Sequence, residues 1–217
     1  MTAMDSRFNQ KGIVSIMETK AKIAAIYGSP RRKGNTATLL DKAVKGAGDA
    51  GAVVYPIVLR DYRISPCLEI YGCKKNGECA ISDDFQQVRD QILASDAIMV
   101  ATPIFFYTVS AHLKIFMDRC QSLWVKKYWL DPENNDGTQP AKKKALIISV
   151  GATKGKKLFD GMLLSMKYFF DVLDAETEST LLCRGLDLEG DVLAFPEYLD
   201  EAYRLGKNLA MTSMRKA

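Results

Sequence analysis

The sequence lacks any run of roughly 18 apolar residues, so no membrane-spanning helix is expected. No secretion signal is expected over the first twenty residues, where Asp5, Asn9, Gln10 and Lys11 interrupt any apolar core. A loosely ordered extension is expected over 1–20, and a single domain over 21–217. No strong excess of either charge is present, since 30 Lys plus Arg face 26 Asp plus Glu, a net charge of +4. That balance suits a phosphate-bearing small molecule and argues against nucleic acid, which demands a concentrated basic face. Arg31-Arg32-Lys33 and Lys142-Lys143-Lys144 are short enough to be solvated runs. Histidine is nearly absent: His112 is the single one, expected in packing or at the surface. Five cysteines, an odd number without a signal peptide, fit a reduced cytoplasm better than a disulfide framework. With 47% hydrophobic and 26% charged residues, the chain has the composition of a globular protein, which excludes wholesale disorder.

From Lys22 onward, short apolar runs alternate with amphipathic segments. Lys22–Gly28, Val53–Leu59, Ala97–Thr102, Ala145–Gly151 and Glu178–Cys183 are predicted strands. Helices are predicted over Thr36–Ala50, from Asp83-Asp84 to about Ser95, and over Ser110–Val125, Phe159–Leu173 and Pro196–Met214. Strands that are apolar throughout, each followed by a helix, imply an α/β fold. The simplest version is a five-stranded parallel sheet of order 2-1-3-4-5 with helices on both faces, a flavodoxin-like arrangement. Two connections are long: Arg60–Ser82, which holds three cysteines, and Lys126–Lys144, which holds Tyr128-Trp129-Leu130 and Asp131-Pro-Glu-Asn-Asn-Asp-Gly137.

The absent motifs narrow the chemistry. No Gly-Lys-Ser/Thr follows a glycine-rich turn, and no Gly-x-Gly-x-x-Gly occurs, so neither a Walker loop nor a dinucleotide fingerprint is present. No cysteine is followed six residues later by arginine, which eliminates a Cys-x5-Arg phosphatase. What is present is Gly28-Ser-Pro-Arg-Arg-Lys-Gly-Asn-Thr36 between the first strand and first helix. Such a turn aims backbone N–H groups and hydroxyls at an anion. Ser29, Asn35 and Thr36 are candidate donors, Arg31 a bidentate phosphate ligand, and Gly28 and Gly34 allow close backbone approach. At the end of the third strand stands Ala101-Thr-Pro-Ile-Phe-Phe-Tyr-Thr-Val-Ser110. Ligands of open parallel sheets sit beyond the strand ends flanking the switch point, here strands one and three, so both loops fall at one mouth. A proline-fixed aromatic loop there suits a flat ring system.

Together, Gly-Ser-Pro-Arg-x-x-Gly-Asn-Thr, Asp83-Asp84-Phe85, Thr102-Pro-Ile-Phe-Phe and Ser110-x3-Lys114-x3-Asp118-Arg119 resemble the NADPH-dependent FMN reductase and iron–sulfur flavoprotein superfamily over about Lys22–Ala210. The resemblance implies FMN, with its phosphate on Ser29, Arg31, Gly34, Asn35 and Thr36. Its ring system would lie against Pro103, Ile104, Phe105 and Phe106, with Gly151-Ala152 near the other edge. It further implies NAD(P)H as co-substrate, hydride donation to the flavin, and a small-molecule acceptor such as a quinone, a nitroaromatic or free flavin. A homodimer or homotetramer is implied too, with Tyr128 and Trp129 either covering a neighbour's flavin or packing at home. No protein side chain is required as an acid or base for the first half-reaction, and the flavin carries the chemistry. Arg32 and Lys33 are read as solvated charges. The alternative is a flavodoxin-type one-electron carrier without nicotinamide turnover; such carriers tend to be acidic, unlike this chain.

Cys67, Cys73 and Cys79 lie on the first, third and fourth positions of the cysteine pattern that ligates a [4Fe-4S] cubane in the iron–sulfur flavoproteins. Ile70 stands at the second. Clusters of this kind take four thiolates, so the segment is expected to be a relict without cluster or metal.

Overall fold

The computed structural model describes residues 20–132 and 141–214. The expected N-terminal extension, apart from Lys20, and most of the Asp131–Gly137 segment lie outside these. The described chain alternates strand and helix: β1 (Lys22–Tyr27), α1 (Asn35–Asp49), β2 (Val53–Val58), a short α2 (Cys73–Asn76), α3 (Phe85–Leu93), β3 (Ala97–Pro103), α4 (Ala111–Arg119), α5 (Gln121–Val125), β4 (Lys143–Gly151), α6 (Asp160–Val172), β5 (Ala175–Arg184) and α7 (Pro196–Met214). All strands are parallel in the order β2-β1-β3-β4-β5, as the periodicity predicts.

Alternation along the central strands splits the core in two. Ile23 and Ala25 of β1, Met99 and Ala101 of β3, and Leu146 and Ile148 of β4 face α1 and α7. Ala24, Ile26, Ile98, Val100, Ala145 and Ile147 face α3, α4 and α6. Both faces are dry, which is why these strands read as continuous apolar runs. Pro56 sits in β2, an edge strand, where its missing N–H is tolerated.

Boundaries differ from the sequence reading at several places, among them the following. The predicted helix over Ser110–Val125 is broken at Cys120, whose N–H is shared between the carbonyls of Phe116 (3.2 Å) and Met117 (3.0 Å). The chain then winds through a π-helical turn over Lys126–Leu130, closed by Asp131 N–H to Lys126 O at 2.9 Å, where a loop is expected from sequence. β5 starts at Ala175 because the polar Glu176 pairs beside β4.

α1 and α7 cross at two glycines. A Cβ on Gly206 would lie 2.0 Å from the Ala43 carbonyl oxygen, and one on Gly46 would lie 2.1 Å from that of Tyr203. Gly206→Ala therefore forces the helices apart and is expected to cost about 1–3 kcal/mol or more in urea unfolding. Gly48→Ala, with nothing within 4 Å of its added methyl, is expected to gain about 0.5–1 kcal/mol from helix propensity.

Candidate functional site

The Gly28–Thr36 segment begins where β1 leaves the sheet. Gly28 N–H donates to Ala101 O at 2.8 Å, and a Cβ there would lie 3.1 Å from that oxygen. Its own carbonyl accepts from the Ser110 hydroxyl. Ser110 also caps α4 by accepting from Leu113 N–H at 3.3 Å, so one side chain locks both loops together. Within the loop, Ser29 Oγ accepts from Arg31 N–H at 3.0 Å. Gly34 is extended before α1, and a Cβ on it would sit 3.1 Å from Arg31 Cβ and 3.5 Å from Ser29 Oγ. The first bond of α1 is Thr38 N–H to Gly34 O at 3.0 Å, so the N–H groups of Asn35, Thr36 and Ala37 precede the intrahelical ladder, at the positive end of the helix dipole. No carboxylate occurs in Gly28–Thr36.

The β3 loop turns sharply. Phe105 and Thr108 exchange backbone hydrogen bonds at 3.1 and 3.0 Å, while Phe106 (φ 48°) and Tyr107 (φ 61°) both occupy the left-handed region, the geometry of a type I′ turn. Neither is glycine, so the turn holds strain of order 1–3 kcal/mol per residue, a feature that concentrates at functional sites. Phe106 is 97% exposed; Phe106→Gly is expected to raise stability by about 1 kcal/mol in urea unfolding, through relief of that strain. Ile104 N–H ties the loop to Val150 O at 2.9 Å.

These loops enclose a cleft that is partly open to solvent. Of the sequence-predicted residues, Ser29, Arg31, Gly34, Asn35, Thr36, Pro103, Ile104, Phe105 and Ala152 line it together. Phe106 and Gly151 do not: Phe106 projects into solvent, and Gly151 O is taken by Gly185 N–H at 2.8 Å.

Sequence reasoning missed the wall after β5, where Leu186 and Asp187 line the cleft. Asn35 builds it: its Nδ2 donates to Leu188 O at 2.8 Å, and its Oδ1 accepts from Gly190 N–H (3.1 Å) and Val192 N–H (3.2 Å). Arg31 Nη1 donates to Asp187 O at 3.0 Å. The side-chain amide of Asn35 therefore holds a wall of the cleft. The available signal was the pair Gly185 and Gly190, both with positive φ, at the same sheet edge as the other two loops. Arg32 is paired with Asp61 (2.8 Å). Tyr128 donates to Asp171, and its ring lies tilted at 5.5 Å from that of Trp124; His112 is exposed on α4.

The cysteine segment is pinned by a buried arginine. Arg119, 1% exposed, donates to Ser65 O (2.9 Å), Ile81 O (2.9 Å), both oxygens of Asp83 (2.8 and 3.2 Å) and Cys79 Sγ (3.1 Å), and stacks over Phe85 at 4.7 Å. Burial pushes the Asp83 carboxyl up. Arg119 and the N–H groups of Ser65 and Phe85 outweigh it and hold the group below the ordinary carboxylate range. Cys67 is exposed, and Cys73 and Cys79 are half-buried. Among the described residues, no three His, Cys, Asp or Glu side chains are grouped to hold a metal ion. Cys120 and Cys183 are buried in the core. Burial raises both thiols, that of Cys183 to about 12.

The profile of the NADPH-dependent FMN reductase family matches residues 21–178. The chain belongs to this family. A Bacillus subtilis relative named as an NAD(P)H-dependent FMN-containing oxidoreductase is 32% identical over 187 residues, 86% of this chain and 97% of that protein. An iron–sulfur flavoprotein of Methanocaldococcus jannaschii is 32% identical over 133 residues, 61% of this chain and 63% of that one. The matches span about half to two thirds of the length of the first such flavoproteins. Among solved structures, an NAD(P)H:quinone oxidoreductase from Methanothermobacter marburgensis superposes with a TM-score of 0.62 at 20% identity, covering 88% of this chain and 98% of that one, which establishes the shared fold. Among the described residues of this FMN reductase family member, no helix is long and apolar enough to cross a membrane.

Proposed function

We propose that the protein is an FMN-dependent oxidoreductase that takes electrons from NAD(P)H and passes them to a small-molecule acceptor of the quinone, nitroaromatic or free-flavin class. The observation that carries this reading is one cleft joining an acid-free helix N-terminus to an apolar strand-end loop. The residues fit the cofactor: Gly34 leaves room where a Cβ would crowd Arg31, and the N–H groups at the start of α1 offer an anion cradle beside the Ser29 and Thr36 side chains.

Arg31 and the first turn of α1 would hold the phosphate end, and Pro103, Ile104 and Phe105 would offer an apolar surface to the ring end. Bound FMN would supply the redox chemistry, accepting electrons from the nicotinamide and releasing them to the acceptor. The chain would orient the two ends. Asn35 sets the Leu186–Asp187 wall that closes the far side.

Anaerobic addition of NADPH to the FMN-loaded protein is expected to bleach the flavin absorption rapidly, with colour restored by a quinone. An FMN-loaded protein that stays yellow with both NADPH and NADH would be a one-electron carrier instead.

A further inference from the structure

The segment leaving β4 beside the cleft carries an uncompensated positive charge. Thr153–Phe159 contains Lys154, Lys156 and Lys157 and no carboxylate. All three lysines are exposed, and among the described residues none has an ion-pair partner. Three contacts place this segment at the cleft. Ala152, immediately before it, lines the cleft wall. A Cβ on Gly155 would lie 3.9 Å from the Tyr107 hydroxyl, so the segment abuts the strained Phe105–Thr108 turn. On its other side, Arg184 Nε reaches Gly155 O at 3.4 Å, and its guanidinium stacks over Phe159 at 4.7 Å. Lys154 runs alongside Gly185, just before the Leu186–Asp187 wall, with its Cε 3.0 Å from where a Cβ on that glycine would be.

Two carboxylates border the group without forming an ion pair with it. Asp160 lies beyond Phe159 at the start of α6, and Asp187 stands in the cleft wall, its backbone carbonyl engaged by Arg31. The cations of the Gly28–Thr36 loop belong to a different element. The three lysines stand outside the cleft lining, on the segment that follows Ala152, while Arg31 is in the lining together with the apolar Pro103, Ile104 and Phe105. A cofactor phosphate held at the Gly28–Thr36 loop leaves the lysine segment unaccounted for.

We propose that Lys154, Lys156 and Lys157 form a second anion subsite, which selects the molecule exchanging electrons at this cleft by a phosphate, sulfonate or carboxylate group that it carries. The inference rests on the FMN reading for what occupies the rest of the cleft. Unpaired ammonium groups at the rim of a cleft concentrate anions and speed their association, an effect that weakens as salt rises. The anion has two sources: the phosphates of the dinucleotide reductant, or an acidic group on the acceptor.

The test compares the full-length protein with the triple variant Lys154→Gln, Lys156→Gln, Lys157→Gln. The triple variant Lys42→Gln, Lys167→Gln, Lys207→Gln serves as the charge-matched control. Binding of adenosine 2′,5′-bisphosphate and of 1,4-naphthoquinone-2-sulfonate is measured by calorimetric titration at low and high salt, with adenosine and 1,4-naphthoquinone as neutral counterparts. The loop variant is expected to lose about tenfold in affinity for at least one anionic probe, to lose salt dependence with it, and to bind the neutral probes as before. Loss for the bisphosphate alone assigns the subsite to the reductant, loss for the sulfonate alone assigns it to the acceptor, and loss for both assigns it to either anion. Equal anion binding by loop variant and unaltered protein, an equal loss in the control, or no anion binding by the unaltered protein would overturn the proposal. Failure of the FMN reading is seen separately, as a protein that does not turn yellow with FMN, because the titrations do not require turnover.

Discussion

Arg119→Met is expected to destabilise the protein by about 3–5 kcal/mol, the cost of stripping one partner from a buried ion pair. The guanidinium is fully buried and donates to Ser65 O, Ile81 O and both oxygens of Asp83, beside the N–H groups of Ser65 and Phe85 on the carboxylate and the Gln86 amide on Ile81 O. Methionine fills much of the volume but leaves a largely buried carboxylate without its counter-charge, held by the N–H groups of Ser65 and Phe85 alone, and strips Ser65 O of the arginine donor. Arg119→Lys would recover little, since an ammonium cannot span two carboxylate oxygens and two carbonyls in a plane. Urea unfolding gives the magnitude, and limited proteolysis should cut first within Arg60–Ser82, the segment the arginine anchors.

The same pair predicts a pH signature. Asp83 titrates below its unfolded value of about 3.9. Its contribution is therefore fully present above that pH and is lost as the pH falls through the lower, folded value. Native stability should be flat from neutrality to about pH 4.5 and decline below it. In Arg119→Met the largest single force holding the carboxyl down is gone, so the group titrates higher and the acid decline flattens. An acid limb unchanged by Arg119→Met would show that Asp83 is not its source.

Arg31→Ala combined with Asn35→Ala is expected to weaken FMN binding by roughly ten- to a hundredfold, corresponding to about 1.5–3 kcal/mol. The two residues act at different points. Arg31 offers charge at the anion cradle and a bond to Asp187 O, while Asn35 uses three hydrogen bonds to fix Leu188, Gly190 and Val192. The single variants separate these roles: Arg31→Ala should reduce the salt dependence of FMN binding, and Asn35→Ala should lower affinity with little change in that dependence. Fluorescence quenching of added FMN measures both.

The fold was legible because its central strands are apolar on both faces; Ile23 to Ile26 read as a buried strand whichever way each side chain points. That the Gly28–Thr36 loop and the Pro103–Phe105 loop meet at one cleft was legible from their shared sheet edge. What the sequence hid depends on contacts distant along the chain. The amide of Asn35 looks like a phosphate donor until the segment 153–157 residues further on is folded against it. Phe106 reads as a stacking residue beside Phe105, yet the turn that places Phe105 on the cleft sends its neighbour into solvent. Arg119 enters the sequence reading only as the end of the Ser110–Arg119 pattern, and its burial against Asp83 and the cysteine segment depends on contacts 36 to 54 residues away. The π turn over Lys126–Leu130 leaves no mark in the apolar periodicity, which its extra residue per turn takes out of step.

The central claim is that the cleft between the Gly28–Thr36 loop and the Pro103–Phe105 loop holds FMN. The visible absorption spectrum of the purified protein, recorded after incubation with FMN and desalting, tests it most directly. A two-banded yellow spectrum at about one FMN per chain, much reduced in the Arg31→Ala, Asn35→Ala variant, is the expected result. A colourless protein, or equal retention by that variant, would contradict the assignment.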